Sequence, residues 1–196
     1  MPLILLSPPA VEPVTLADAK AHLRIDHSDD EAVIEGFIVA ARDMVEAATG
    51  RALISQTWRL DLAGFPACDG AIDLPRPPTA SVTSIAYTDA AGATQTITPS
   101  DYSLSADAGP RAAAAQIVPA YGIYWPATRD QANAVRITFV AGYGATGAAV
   151  PAALIAAIKL HLGDLYANRE GSGAVEMLPN PTIDRLLAAY RVAWWA

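Results

Sequence analysis

Between Ser28 and Gly50 the chain places Val33, Ile34, Phe37, Ile38, Ala41, Met44, Val45 and Ala48 at steps of three and four residues, the period of an amphipathic helix. A stripe of that length must be covered, so the rest of the fold has to supply apolar partners for it. Ser28 and Glu31 stand at the spacing of a capping box, and Asp29 and Asp30 put negative charge where the helix dipole favours it. Thr49 and Gly50 end the pattern, Gly being suited to the left-handed residue beyond a helix. The other face carries Glu35, Arg42, Asp43 and Glu46, with Arg42 and Glu46 one turn apart as a modest pair, and reads as solvated.

Candidates to cover the stripe come from both ends of the chain. Thr15 and Asp18 open a short helix with Leu16, Ala19 and Leu23 on its apolar side, forming a hairpin with the long helix. Pro151 to Asn168 forms another, through Leu154, Ile155, Ile158, Leu162, Leu165 and Tyr166, with Pro151 at a first helical position. Its Leu154, Ile158, Leu162 and Leu165 are expected to pack on Val33, Ile34, Phe37, Ile38, Ala41 and Val45. Asn180 and Pro181 begin a last helix, with Ile183, Leu186, Leu187, Tyr190 and Trp194 on one side. From Ile54 the period changes to two: Trp58, Leu60 and Leu62, then Ala71–Leu74, a hairpin from Val82 to Thr98, Tyr102–Leu104, Ala114–Val118 and Val135–Phe139. Turn-like connections make the pairing antiparallel. The fold expected is α+β: a bundle of four helices with an inserted antiparallel β-rich subdomain. Residues 1–14, with four prolines, form an extended arm, 15–53 and 148–196 the helical core, and 54–147 the insertion.

Composition narrows the function classes. The chain has 196 residues, 53% hydrophobic and 17% charged, which supports a packed core. A formal charge of −7 disfavours a protein that neutralises nucleic-acid phosphates. One cysteine, Cys68, allows no internal disulfide framework and fits a cytoplasmic setting. The run Leu3–Leu6 lacks a basic flank and is stopped by Pro8 and Pro9, so no membrane segment is expected.

Chemistry is sparse. His22, His27 and His161 lack metal-ligand spacing, no Ser sits in a nucleophile elbow, and Asp26, Asp29, Asp30 and Glu31 lack an EF-hand's ligand pattern. No catalytic, cofactor or metal site is expected. The sharpest lookalike is Gly142, Gly144 and Gly147, which spell G-x-G-x-x-G after a strand and before a helix, and which would serve a small cytoplasmic nucleotide-binding protein or enzyme. Against this, the helix begins only at Pro151 and no second strand follows to reach a ribose. A ligand-binding β module on a helical base is a third reading. Trp194 and Trp195 adjoin, so one helix face cannot bury both, and a partner anchor is as plausible as a frayed tail.

In order along the chain, Glu12-Pro13-Val14-Thr15-Leu16, Lys20, His22-Leu23-Arg24, Ala41-Arg42, Glu46, Thr49-Gly50-Arg51, Trp58, Leu74-Pro75, Trp125-Pro126, Ala141-Gly142-Tyr143-Gly144, Val150-Pro151, Leu165-Tyr166 and Asn168-Arg169-Glu170 are landmarks. Together they resemble the head-tail connector (adaptor) proteins of long-tailed bacteriophages and phage-derived gene transfer agents. The resemblance implies a structural subunit of a homo-oligomeric ring, a dodecamer in the particle, beneath the portal protein. Such a ring joins the filled capsid to the stopper or tail and passes DNA through its channel without specific binding. It implies no cofactor, no membrane partner, and a place at the head-tail junction after assembly in the bacterial cytoplasm. Within that frame Ile183, Leu186, Leu187, Tyr190, Trp194 and Trp195 are the expected portal-binding residues.

Overall fold

The computed structural model describes residues 2–67, 69–169 and 180–192. The fold is α+β, with four α-helices and antiparallel sheets among those residues. Helix α1 spans Leu16–Leu23, α2 Glu31–Thr49, α3 Ala152–Ala167 and α4 Pro181–Ala188. Thr15 caps α1 as its spacing predicts, its hydroxyl accepting from the Asp18 N–H at 3.1 Å. The start of α2 departs from expectation: Asp30, not Ser28, is the N-cap, and no side chain caps it. The carboxylates that would cap are engaged elsewhere. Glu31 accepts from Lys20 Nζ at 2.6 Å, and Asp30 accepts from Tyr166 and Arg169. At the other end Gly50 takes φ 72° and closes α2. Pro151 is the N-cap of α3 and not its first helical residue.

One core joins the four helices. Ile34, Ile38, Ala41 and Val45 of α2 meet Leu154, Ala157, Ile158 and Leu162 of α3, with Ile183 and Leu187 of α4, and Val14, Leu53 and Ile54 sealing the ends. Phe37 and Leu165 are half-buried at its margin. Three residues of the apolar pattern are outside it: Val33 is 42% exposed, Met44 43%, and Ala48 is exposed as well. The pattern is wider than the groove that covers it. The buried stripe is instead extended on its other side by Arg42 and Glu46, each only 7% exposed, which corrects the reading of that face as solvated at these two positions, while Glu35 and Asp43 are exposed.

The strands are β1 Leu3–Ser7, β2 Gln56–Leu62, β3 Ile72–Leu74, β4 Thr79–Thr88, β5 Thr94–Thr96, β6 Tyr102–Ser105, β7 Ala115–Pro119 and β8 Val135–Ala141. They form a five-stranded sheet, β1-β2-β8-β4-β5, and a three-stranded one, β3-β7-β6. Every strand pair is antiparallel. β8 alternates buried and half-buried residues along its length, as a strand with one face on a core must. Leu60, Ile85, Ile137 and Phe139 of the large sheet share a second core with Leu74 and Ile117 of the small one. The N-terminal arm enters this sheet as β1, with Leu3 opposite Leu60 and Leu5 opposite Trp58. The large sheet therefore draws one strand from outside residues 54–147.

Ile158→Ala is expected to cost about 2–5 kcal/mol by denaturant titration, and Val33→Ala less than about 0.5 kcal/mol. Equal losses at the two positions would contradict the core as described.

Candidate functional site

The arm, α2 and β2 meet at Arg42 and Glu46. Arg42 Nε donates to Glu12 Oε2 of the arm at 2.7 Å, and its Nη1 donates to Asp43 at 2.6 Å and to Glu46 Oε2 at 3.1 Å. The second Glu46 oxygen accepts from the Leu53 N–H and from Gln56 Nε2 of β2, both at 2.8 Å. The helical i, i+4 spacing puts the two charges side by side, and the arm folds over them. Burial works against the Arg42 charge, but Glu12, Glu46 and Asp43 hold its pKa above the ordinary value. Burial pushes the Glu46 carboxyl up, against the pull of the Leu53 N–H, Arg42 and Gln56. Beside this junction lies a groove of about 360 Å³ between Leu5, Pro8 and Pro9 of the arm and Asp43 and Ala47 of α2. Arg76, with φ 62°, stands over the Trp58 ring at its edge and donates to the Glu46 carbonyl at 3.1 Å.

Two further clasps tie the chain ends to α2. Tyr166 Oη and Arg169 donate to Asp30, with Arg169 stacked 4.1 Å from the Tyr166 ring, and the Arg169 bond foremost lowers the Asp30 pKa. Arg51, buried after the helix, donates to the Tyr190 carbonyl at 2.6 Å and the Ala112 carbonyl at 2.8 Å. The Val192 N–H donates to the Thr49 carbonyl. Sequence pattern does not disclose the Arg51 links, because both acceptors are backbone carbonyls far away in the chain.

The glycine loop serves chain packing. Gly142 takes φ 134°, and a Cβ there would lie 2.5 Å from the Ile54 carbonyl carbon. A Cβ on Gly147 would strike the Pro13 carbonyl oxygen, and one on Gly144 would meet Ala149. These close approaches let Tyr143 N–H donate to Leu53 and Ser55 N–H to Gly144. The adjoining cleft of about 760 Å³ is lined by Thr79, Asp107, Gly109, Pro110, Tyr143 and Ala149 among others, and its described lining holds no Lys or Arg to meet a phosphate.

Of the expected portal-binding residues, Ile183 and Leu187 are buried against α2 and α3, and Leu186 and Tyr190 are half-buried on the same core. Helix α4 stops at Ala188, short of the stripe's full length. Trp194, Trp195, Cys68 and Gly171–Gly173 lie outside the described residues. His22 and His27 are exposed, and burial lowers the pKa of half-buried His161. The described residues hold no metal-binding cluster and no helix long and apolar enough to cross a membrane.

Residues 13–107, which carry the arm's end, α1, α2 and the strands β2 to β6, match the family described as phage gp6-like head-tail connector protein. Over its full length the chain is similar to a solved chain from the neck of an empty GTA particle computed with C6 symmetry. That likeness has 27% identity, a TM-score of 0.80 and coverage of 98% of the other chain. The family match and this likeness support a head-tail connector protein. A chain from the neck of the native GTA particle computed with C12 symmetry matches this connector at 27% identity and a TM-score of 0.80. One from the virion of the native gene transfer agent matches at 26% and 0.81, and 98% of each of these chains is covered by all of this one. No curated protein matches the chain.

Replacing Glu46 with Ala in this connector strands the Arg42 charge and the Leu53 and Gln56 donors, with an expected loss of about 3–5 kcal/mol. Because burial raises the Glu46 carboxyl above its ordinary 4.5, its contribution is full below that value and declines as pH rises through the folded one. Glu46→Gln should flatten that decline in Tm against pH. The lowered carboxyls Asp18, Asp30 and Asp89 act in the opposite sense and below about 3.8, so the two effects separate on the pH axis.

Proposed function

We propose that this connector is a structural, non-enzymatic subunit of the head-tail junction. Copies of it close into a ring, twelve in the particle, beneath the portal, and continue the DNA channel toward the stopper or tail. The observation that carries this reading is the full-length likeness to neck chains in reconstructions computed with C6 and C12 symmetry. A charge of −7 suits a conduit, because a wall of like charge lets phosphates slide without sticking. In this reading residues 15–53 and 148–196 are the ring-forming bundle and 54–147 an inserted β-rich elaboration, clamped to the bundle by the arm. Assembly takes place in the bacterial cytoplasm.

The portal contact is assigned to the C-terminal segment. Ile183, Leu186, Leu187 and Tyr190 would exchange their groove on the bundle for one on the portal, with Trp194 and Trp195 as anchors. Deleting residues 193–196 leaves the Arg51–Tyr190 and Thr49–Val192 hydrogen bonds in place. That deletion is expected to keep the thermal transition while abolishing co-purification with the portal protein. Wild-type attachment by the truncated chain would refute the anchor. The full-length connector, mixed with portal protein, is expected to migrate with it as a ring in light scattering and electron micrographs. A chain that stays monomeric there and is missing from purified particles would overturn the whole reading.

A further inference from the structure

The two edges of the five-stranded sheet are finished differently. β5 is the short run Thr94–Thr96, polar and exposed throughout, which is how a solitary sheet blunts its edge. β1 ends the other side with Ile4, Leu5 and Leu6 all exposed, and no charge interrupts Leu3–Ser7. Nearby, Val11 of the arm is exposed, and so is Val39, three residues before the Arg42 that grips the arm. Leu5 lines the groove beside Asp43 and Ala47 of α2, so among the described residues its face of β1, Val11 and Val39 give exposed apolar side chains on the arm side of α2, while Ile4 and Leu6 point to the other face of the sheet.

A second apolar surface lies on α2. Val33 and Met44 are exposed and Phe37 is half-buried, and Gly36 faces open space. At about 100° per residue, the centre of Val33, Phe37 and Met44 stands roughly 180° around the helix from Arg42 and Glu46, where the arm sits. The same helix thus carries apolar surface on two opposite flanks. A cyclic ring needs this arrangement, because each copy must offer one surface forward and a different one back. A two-fold dimer would need only one self-complementary patch.

We propose that the Val33–Phe37–Met44 flank of α2 in one copy seats against the β1 edge and arm of the next, centred on Leu5, Val11 and Val39. The occupant of each surface is a second copy of this chain, and the assignment rests on the ring reading above. Contact with β1 covers the apolar edge that a free sheet would leave open to mispairing.

Thiol cross-linking in assembled particles tests it. In a Cys68→Ser background, Leu5→Cys and Met44→Cys are introduced together or singly, treated with a short bismaleimide, and the particles denatured. The double variant is expected to give a ladder extending beyond the dimer, and each single variant only monomer. Dimers from Met44→Cys alone would mean that like faces pair, and would overturn the assignment. No ladder from the double variant, in particles whose necks still show the ring, would overturn this interface and leave the ring reading standing. Absence of the wild-type chain from the neck would overturn both. Met44→Glu supplies an independent readout, since residue 44 is exposed in the single chain. Its incorporation into particles should fall by roughly tenfold or more, with the circular dichroism spectrum and Tm of the free chain unchanged, and wild-type incorporation would count against the interface.

Discussion

The rest of the connector depends on one buried ion pair that is shared among three segments. The Glu46 carboxylate accepts from the Leu53 N–H in the chain leaving α2, from the amide of Gln56 in β2, and from the guanidinium of Arg42. Arg42 passes the link on to Glu12 in the arm. Removing two charges from water costs several kcal/mol each, so such a pair adds little net stability compared with an apolar replacement of the same shape. Its value here is directional. An apolar contact would accept the arm in several positions, whereas carboxylate and guanidinium geometry accept one. With Glu12 placed, the chain before it is held close to the sheet, where Leu3 and Leu5 fall into register with Leu60 and Trp58.

This explains which parts of the fold are legible from residues alone. The apolar stripe of α2 and its partners Leu154, Ile158 and Leu162 are visible because period is a local property of sequence. The strands β2, β4 and β8 are visible for the same reason. The burial of Arg42 and Glu46 is not, since an i, i+4 pair reads the same whether water or a proline-rich arm lies over it. Capping fails similarly: Ser28, Asp30 and Glu31 all have capping chemistry, and the choice among them is made by Lys20, Tyr166 and Arg169, which arrive from elsewhere in the chain. Val33 and Met44 satisfy the helical period but face away from α3, because periodicity gives a width to the stripe and says nothing of the width of the groove.

The glycine loop shows how a motif can be present without its chemistry. G-x-G-x-x-G marks places where backbone must approach something closely. In a dinucleotide site that something is a pyrophosphate. Here it is the connector's own main chain, Ile54–Ser55 against Gly142 and Pro13 against Gly147. The loop is therefore the seam where the strand β8, the start of the β-rich segment and the arm converge on the bundle. Glycine is demanded by the seam's tightness, and a side chain at either position would pry it open.

Taken with the junction at Arg42, that seam makes the arm the element that couples bundle to sheet. Pro13 presses on Gly147, Glu12 binds Arg42, and Leu3–Ser7 completes the edge of the large sheet, so the arm touches α2, the loop before α3 and the five-stranded sheet. A strand held this way cannot shift without loosening both a buried ion pair and a close backbone contact. The exposed leucines of β1 are consequently displayed on a rigid support, which lowers the entropy lost when another surface covers them. Rigid display of apolar surface is costly for a chain that stays alone, because it invites nonspecific association. It suits one that is covered by a fixed neighbour, where the same rigidity determines the angle between successive copies and hence whether a chain of contacts closes.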